Sequence, residues 1–460
     1  MEQTATKGVE IMLGDPKKAI AAFSIPIAVA LLAQQSNNLV DSFWVTNLGA
    51  DAMAALGLVF PIYAVIVGIG AGLGIGTSAA IARKIGMGRT EDANGIAVQS
   101  LILCLIIAAV ATPLLILTAE PLLMLIGAGP TINTSTEYAV PLYLATAFIL
   151  LSGVMSGILR GEGAIRKSMY IQVLGAIANL ILDPIFIYTL DMGVAGAAWA
   201  SVVAFALSII AGLYWYLVKK NMFIKFKREN IRFNRTHQKE ILSVGLPQSF
   251  EFSVMNIFNV TFNFCIIAVG TTDAMAIYTV AWRIVYLIMI PAQAMGGAIV
   301  SACSAEFGMK RYDMIRKAYR YSVKMSILLL AAFSLIMVLL AHPIASVFTQ
   351  SPDMQHMHDE MVVLLYIFSI FIPIMSLVFV GSSLLQAVNR SRVALASSFI
   401  RNLVLAIMFV LATYTVGTLT SLWWSMTFTE IFGGLLMGYW AYVVLKDAAK
   451  KDGRSWKSDT

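Results

Sequence analysis

Apolar runs long enough to cross a lipid bilayer recur along the chain about every 35 to 40 residues, separated by short polar stretches. The hydrophobic fraction is 59% and only 12% of the residues are charged, whereas soluble domains carry roughly 25% charged residues. A water-soluble globular protein is therefore excluded. Because a bilayer needs about 20 apolar residues per helix, the pattern predicts twelve transmembrane helices, near residues 18–46, 52–82, 94–119, 133–159, 166–190, 194–218, 239–268, 274–305, 319–345, 359–386, 393–415 and 418–445.

The positions of lysine and arginine test this count, because basic residues collect in cytoplasmic loops. Of the 32 Lys and Arg residues, all but Arg283 and Arg401 lie before the first span, around every second loop, or after the last span. This alternation predicts twelve spans with both termini in the cytoplasm. The net charge of +7 then indicates contact with anionic membrane lipid and not with nucleic acid.

The two halves of the chain share a sequence plan. At a shift of about 221 to 226 residues, similar segments recur: "AFSIP" (22–26) and "SVGLP" (243–247), "LGADAMAA" (48–55) and "VGTTDAMA" (269–276), "GMGR" (86–89) and "GMKR" (308–311), and "NLILDP" (179–184) and "NLVLAI" (402–407). Parallel repeats of this kind are typical of secondary transporters. We therefore predict an all-α polytopic membrane protein with two pseudo-symmetric six-helix lobes, residues 1–218 and 239–460, joined by a basic linker, residues 219–238, in the cytoplasm.

Several motifs in this order resemble the multidrug and toxic compound extrusion (MATE) family. They are "AFSIPIAVALLAQQSNNLVDSFWVTNLGADAMAALGL" at the start, "ARKIGMGRTEDA" after span 2, "GILRGEGAIRKSM" after span 4, and "ANLILDPIF" in span 5. The resemblance covers essentially the whole chain. It implies a cation-coupled efflux antiporter whose amino-terminal half carries the cation site.

Four acidic residues lie well inside the predicted spans, away from their ends: Asp41, Asp183, Glu251 and Glu430. An intramembrane acid is by default a functional candidate, because a charge at a helix centre costs about 2.5 to 3.5 kcal/mol. Asp41 ends a polar stripe on one face of the first span, formed with Gln34, Asn37 and Asn38. The stripe is either a structural network between helices or part of a cation site.

The surroundings of Asp183 in the sequence favour the second interpretation, a cation site. Asp183 follows Asn179 by one helical turn and precedes Pro184, which has no N–H to donate to the Leu180 carbonyl. Carboxylate, amide and carbonyl oxygens suit a proton or a small cation, so Asp41, Asn179 and Asp183 are candidate Na⁺ ligands. The family resemblance implies a site of Asp41, Asn179, Asp183 and Ser201, with Tyr138 close by; Ser201 stands where relatives often have Thr.

The internal repeat gives a comparison within the chain. Asn402 corresponds to Asn179, but Ala406 corresponds to Asp183, and Asn263 corresponds to Asp41. The second half thus keeps the helices without the two acids. If the acids served only helix packing, we would expect both halves to retain them.

The remaining intramembrane charges each allow more than one role or a structural one. Many bacterial relatives have a coupling glutamate one turn after Glu251, where this chain has Met255. Glu251 therefore either faces the substrate cavity or pairs with an intramembrane arginine, and Arg283 could serve either purpose. Arg401 and Glu430 are expected to form a structural ion pair.

These patterns predict a monomeric antiporter of a prokaryotic cytoplasmic membrane that exports cationic, amphipathic compounds in exchange for protons or sodium ions. The substrate cavity is predicted to include Gln34, Asn37, Asn38, Glu251 and Arg283. A flippase for lipid-linked precursors is the alternative, although it would be expected to have more basic residues in its cavity. An uncoupled channel or scaffold would not confine its acids to one half. We expect no enzymatic activity and no cofactor.

Overall fold

The computed structural model describes residues 5–352 and 354–451, without the side chains of residues 38, 39, 41, 42 and 451. Within those ranges the chain is helical and contains no β-strand. The α-helices there are α1 (Lys7–Leu13), α2 (Pro16–Thr46), α3 (Ala50–Gly86), α4 (Thr90–Leu117), α5 (Ala119–Ile126), α6 (Ile132–Leu144), α7 (Thr146–Gly161), α8 (Ile165–Pro184), α9 (Gly193–Leu213), α10 (Arg235–Gly308), α11 (Tyr312–Leu339), α12 (Ala341–Phe348), α13 (His358–Phe371), α14 (Met375–Ala387), α15 (Ser391–Thr415) and α16 (Leu419–Lys451).

The described helices provide twelve membrane spans, as predicted. Nine are long and apolar enough to cross a bilayer singly, and the bent pairs Gly129–Leu144 with Thr146–Gly161 (49°) and Gln355–Phe371 with Met375–Ala387 (44°) raise the number to eleven. Helix α10 supplies one more span because it is interrupted at Gly270 and Thr271, where Thr271 has a φ of 64°. A straight helix of 74 residues would be about 110 Å long, far more than the hydrocarbon core of about 30 Å.

Helices in the second half begin and end at positions equivalent to those of helices in the first half. Helix α4 (28 residues) recurs as α11 (28 residues), and α5 (8 residues) recurs as α12 (8 residues). Each recurs 222 residues later, from residue 90 to 312 and from 119 to 341. The short helices α5 and α12 were not predicted: the third predicted span ended at residue 119, where α5 begins, and the ninth, 319–345, included the first part of α12.

The chain forms two compact units. Unit 1 contains the described part of Met1–Asp15, Ile25–Ser253 and Ser304–Met309; unit 2 contains Pro16–Ser24, Val254–Cys303 and the described part of Lys310–Thr460. The boundary within α2 adjoins Pro26, whose ring leaves the Ala22 carbonyl without its helical donor. The predicted lobe boundaries stay a prediction.

The units build their cores differently. In unit 1, α3 and α7 approach at backbone distance, because a Cβ at Gly74 would overlap the Gly153 carbonyl and one at Gly157 would overlap Gly74. Small residues allow this contact between apolar helices. In unit 2 the core holds stacked aromatic rings, with Tyr278 and Trp423 5.9 Å apart and nearly parallel.

The basic linker is not a loose loop but lies bound along unit 1. The Gln99 amide of α4 donates to the carbonyls of Asn230 and Arg232, each at 2.8 Å. The Asn94 side chain accepts from the Lys225 N–H at 2.8 Å. Both α4 residues are fully buried. Buried amides that pair with backbone groups therefore fix the path of the linker.

Glu162, immediately after α7, anchors the start of the linker. Its carboxyl group accepts hydrogen bonds from the Tyr216 hydroxyl and from the Ile224 N–H, the latter at 2.8 Å. Only 1% of the residue is exposed. Burial raises the pKa of Glu162 to about 7, and the hydrogen bonds from Tyr216 and Ile224 oppose that rise only in part.

This burial predicts a pH-dependent stability that replacement by glutamine removes. The folded protein keeps the Glu162 proton between about pH 4.5 and 7, where an unfolded chain releases it. The stabilisation is therefore complete below pH 4.5 and is lost as the pH rises through about 7. We expect wild type to lose on the order of 3 kcal/mol relative to Glu162→Gln between pH 5 and 8, measured as the difference in thermal unfolding in detergent.

Glutamine can accept from Ile224 and donate to Tyr216, so the variant should fold. Glu229→Gln, which changes an exposed acid of the same linker, is the matched control and should follow wild type. Parallel pH profiles for wild type and Glu162→Gln would contradict the prediction.

Candidate functional site

Three of the predicted site residues form one hydrogen-bonded chain in unit 1. Asn179 of α8 donates through Nδ2 to Oδ1 of Asp183 at 2.7 Å, and Ser201 of α9 donates through Oγ to Oδ1 of Asn179 at 3.0 Å. Asp183 is 0% exposed and Asn179 is 3% exposed. The amide thus uses its donor on the carboxyl group and its acceptor on the hydroxyl, which fixes its orientation.

Close packing of α9 against the end of α8 brings Ser201 to this depth. A Cβ at Gly196, which lies about one turn before Ser201, would overlap the Phe186 carbonyl group. The Ser208 hydroxyl, farther along α9, donates to the Ile171 carbonyl of α8 at 2.9 Å. Contacts on both sides of Ser201 therefore hold the two helices together at the site.

The helix changes its winding directly after Asp183. Helix α8 ends at Pro184, and Ile185–Thr189 form a π-helical turn in which the Leu190 N–H donates to the Ile185 carbonyl at 2.9 Å. Proline has no N–H for the Leu180 carbonyl, as the sequence predicts. π-Turns inside helices are frequent at functional sites. The carboxyl group therefore lies where the regular backbone ladder is interrupted.

The end of α2 packs beside this turn. The Tyr188 hydroxyl donates to the Trp44 carbonyl at 2.7 Å, and Val45 shares a small apolar cluster with Ile187 and Ala197. The predicted neighbour Tyr138 of α6 packs against the same cluster. Because Ile187 follows Asp183 by one turn, the structure brings Tyr138 to the neighbourhood of the hydrogen-bonded chain.

Asp41 lies on α2, one turn before Val45, but its side chain is outside the described residues, as is that of Asn38. The predicted pairing of Asp41 with Asp183 therefore stays a prediction. Of the other predicted cavity residues, Gln34 is exposed and Asn37 and Glu251 are half-buried in unit 1, whereas Arg283 is exposed in unit 2. Their sharing of one cavity also stays a prediction.

The equivalent region of the second half has different chemistry. Asn402 donates to the Ser398 carbonyl of its own helix at 2.8 Å, and Ala406 stands in place of Asp183. The predicted ion pair is present, with Arg401 Nη1 3.0 Å from Glu430 Oε2, both buried. The Trp423 indole also donates to Glu360 at 2.8 Å. That contact was not predicted, because Glu360 in the first turn of α13 reads as a solvated helix end.

The oxygen atoms around Asp183 could hold a small cation. Within residues 5–352 and 354–451, no group of three or more His, Cys, Asp or Glu side chains is arranged for a metal ion. The candidate ligands are the Asp183 carboxylate, the Asn179 amide oxygen and the Ser201 hydroxyl, which are hard oxygen ligands suited to Na⁺ and not to a transition metal. In this structure the Asn179 NH₂ group faces Asp183, so a cation held by both side chains would require the amide to turn its oxygen toward the carboxylate.

Comparison with known families identifies the family of the chain. The family model MatE matches residues 26–185 and 247–411, more than half of the 460 residues. The chain belongs to the MatE family. Its relatives in this family include the multidrug export protein MepA of Staphylococcus haemolyticus, 26% identical over 439 residues that cover 92% of this chain and 93% of the relative. A FAD transporter of Shewanella oneidensis is 25% identical over 344 residues, which cover 73% and 75% of the two chains.

Solved structures of MatE-family transporters agree. A MOP-superfamily transporter from Pyrococcus furiosus, described as having a binding pocket of reversed polarity, aligns with a TM-score of 0.92 at 32% identity, covering 97% of this chain and 99% of that chain. A multidrug resistance MATE transporter in an outward-facing conformation gives the same values. The protein is therefore a multi-pass membrane protein of a transporter family with twelve transmembrane helices.

The hydrogen bond between Asn179 and Asp183 predicts unequal effects of the same substitution in the two halves. Asn179→Ala removes an amide donor from a buried carboxyl group and should cost about 1 to 3 kcal/mol. Asn402→Ala truncates the buried equivalent, whose partner carbonyl keeps its backbone helix bond, and should cost less. Thermal unfolding in detergent, followed by tryptophan fluorescence, measures the difference. The two truncations leave similar cavities, so equal losses would contradict the assigned role of the Asn179 amide.

Proposed function

We propose that this protein is a secondary antiporter that exports organic cations in exchange for protons or sodium ions. The main observation is the fully buried Asp183 carboxyl group of the first half, which accepts from Asn179, itself oriented by Ser201. In the second half Ala406 stands in its place. The relatives named as multidrug export or multidrug resistance transporters support the same activity.

The geometry suits exchange because Asn179, which donates to the buried Asp183 carboxyl group, is a neutral amide and adds no compensating charge. A deprotonated carboxyl group in a dry site is costly unless a cation compensates it. The group therefore favours either a proton or a small cation, and release of one allows a second cation to be accommodated. Each proton that enters supplies about 2.3 kcal/mol per 100 mV and about 1.4 kcal/mol per pH unit. One or two protons could thus drive a substantial outward gradient.

We propose further that the basic loops and both termini face the cytoplasm of a prokaryotic cell, following the distribution of lysine and arginine. The transported compounds are amphipathic cations, and the protein acts as a monomer without a cofactor. Asp41 is proposed as the second carboxyl group, with Tyr138 beside the site, and the pair would share protons. A lipid-linked precursor flippase is not favoured, since the relatives are multidrug and FAD transporters.

Transport in proteoliposomes tests the proposal. Vesicles with an acidic or a sodium-loaded interior should accumulate external ethidium, and whichever gradient drives accumulation identifies the coupling ion. Asp183→Asn should reduce gradient-driven accumulation at least tenfold, because asparagine can still accept from Asn179 but has no exchangeable proton or charge. Asp41→Asn should have a similar effect.

Asp51→Asn is the matched control. It changes an exposed acid at the start of α3 in the same unit and should transport as wild type does. If Asp183→Asn and Asp41→Asn both retain full coupled accumulation, the proposed mechanism is wrong.

Arg283 favours a second substrate class, aromatic organic anions. Its guanidinium group is exposed in an apolar span and has no ion-pair partner among the described residues, and a FAD transporter is among the relatives. An intramembrane charge is by default functional. If cations are the substrates, Arg283→Gln should keep ethidium transport and wild type should not accumulate FAD. FAD accumulation that Arg283→Gln abolishes would establish the second class instead.

A further inference from the structure

A groove in unit 2 combines basic and apolar side chains. Its cavity of about 540 Å³ lies between α11, α14 and α16, within the range of roughly 300 to 1,000 Å³ that is usual for ligand sites. Arg320 and Lys324 of α11 line it together with Leu377 of α14 and Leu435 and Tyr439 of α16. Both basic side chains are exposed, so the groove is open to the surroundings.

The two kinds of side chain are separated along the groove. On α11, Arg320 and Lys324 lie on the side of the basic loop, and Ile327 follows at about one further turn. The antiparallel helix α16 shows the same order, with Tyr439 nearer its basic end and Leu435 one turn away from it. A ligand that complements the side chains of both helices has an anionic end and an apolar end. Its whole length is about 10 Å or more.

No described residue forms an ion pair with the basic side chains of the groove. Neither Arg320 nor Lys324 has an ion-pair partner among residues 5–352 and 354–451, although Arg401 in the same unit is paired with Glu430. At the equivalent positions of α4, 222 residues earlier, the chain has Val98 and Ile102. The helix and its packing therefore do not require basic residues at these positions.

The floor and rim of the groove suit a lipid. Gly438 has no side chain, and a Cβ there would lie 3.5 Å from Leu377, so the absence of a side chain keeps the apolar floor open. Tyr319 and Tyr439 line the groove near the basic residues. Tyrosine is enriched where hydrocarbon meets the headgroups of a membrane, because its ring is apolar and its hydroxyl is polar.

We propose that this groove binds an anionic glycerophospholipid from the surrounding leaflet, with the headgroup phosphate on Arg320 and Lys324 and an acyl chain along Ile327, Leu377 and Leu435. We choose an anionic lipid because its negative charge complements the positive charges of Arg320 and Lys324. Basic residues near a membrane surface each attract anionic lipid by about 1 kcal/mol, while a zwitterionic headgroup offers no net charge.

Native mass spectrometry of the delipidated full chain in detergent tests the site. Phosphatidylglycerol and phosphatidylcholine with matched palmitoyl and oleoyl chains are the two probes. We expect wild type to bind phosphatidylglycerol at least tenfold more tightly. The double variant Arg320→Gln/Lys324→Gln should lose about tenfold or more of that affinity, whereas Arg390→Gln/Arg392→Gln, which removes two exposed charges elsewhere in unit 2, should not.

A second variant separates the groove from surface charge alone. Gly438→Leu keeps both basic residues but fills the groove, so it should weaken phosphatidylglycerol binding while its thermal unfolding without lipid stays close to that of wild type. Equal binding of both lipids to wild type would overturn the proposal. So would an equal loss in the two double variants, unchanged binding in Gly438→Leu, or glycerol phosphate competing as effectively as the whole lipid. Because the readout is lipid binding, it is independent of the coupling ion and substrate.

Discussion

A carboxyl group that is fully removed from water, as Asp183 is, loses several kcal/mol of hydration unless hydrogen bonds, a proton or a cation replace it. Asn179 supplies one hydrogen bond from the preceding turn, and Ser201 orients Asn179 from the neighbouring helix. That second link requires α9 to approach the end of α8 at Gly196. The chemistry of one side chain thus depends on the packing of two helices and on the interrupted backbone at Pro184.

The second half compensates its buried acid in a different way. Glu430 is paired with Arg401 at 3.0 Å, and arginine stays protonated in proteins. Such a pair holds a fixed positive charge beside the carboxylate and has no reason to bind another cation. Asp183 is hydrogen-bonded to the neutral amide of Asn179, and in the proposed mechanism its compensating charge is a proton or an ion that can leave. The same helical scaffold therefore provides a permanent ion pair in one half and, as proposed, an exchangeable site in the other.

The parts of the structure that repeat or alternate could be predicted from the sequence. Twelve spans follow from apolar runs and charge alternation, and the bond between Asn179 and Asp183 joins residues one turn apart in one helix. The position of Ser201 came only from the family resemblance, because a contact across 22 residues has no local signal. The bound linker and Glu162 were missed for a similar reason. Their partners include backbone N–H and carbonyl groups, which every residue carries, so the sequence gives no sign of which ones are used.

The surface of α4 that contacts the linker is equivalent, in the repeat, to the surface of α11 at the lipid groove. Asn94 and Val98 of α4 correspond to Arg316 and Arg320 of α11 at the 222-residue offset. Asn94 is fully buried and accepts a hydrogen bond from the linker backbone, and Val98 is buried as well. Arg320 is exposed. A helix surface that is covered by protein tolerates neutral residues. An uncovered helix surface near the membrane surface favours basic residues, which contact anionic headgroups. In the first half the chain itself covers this surface of α4. If lipid covers the equivalent surface of α11, the change from valine to arginine is explained.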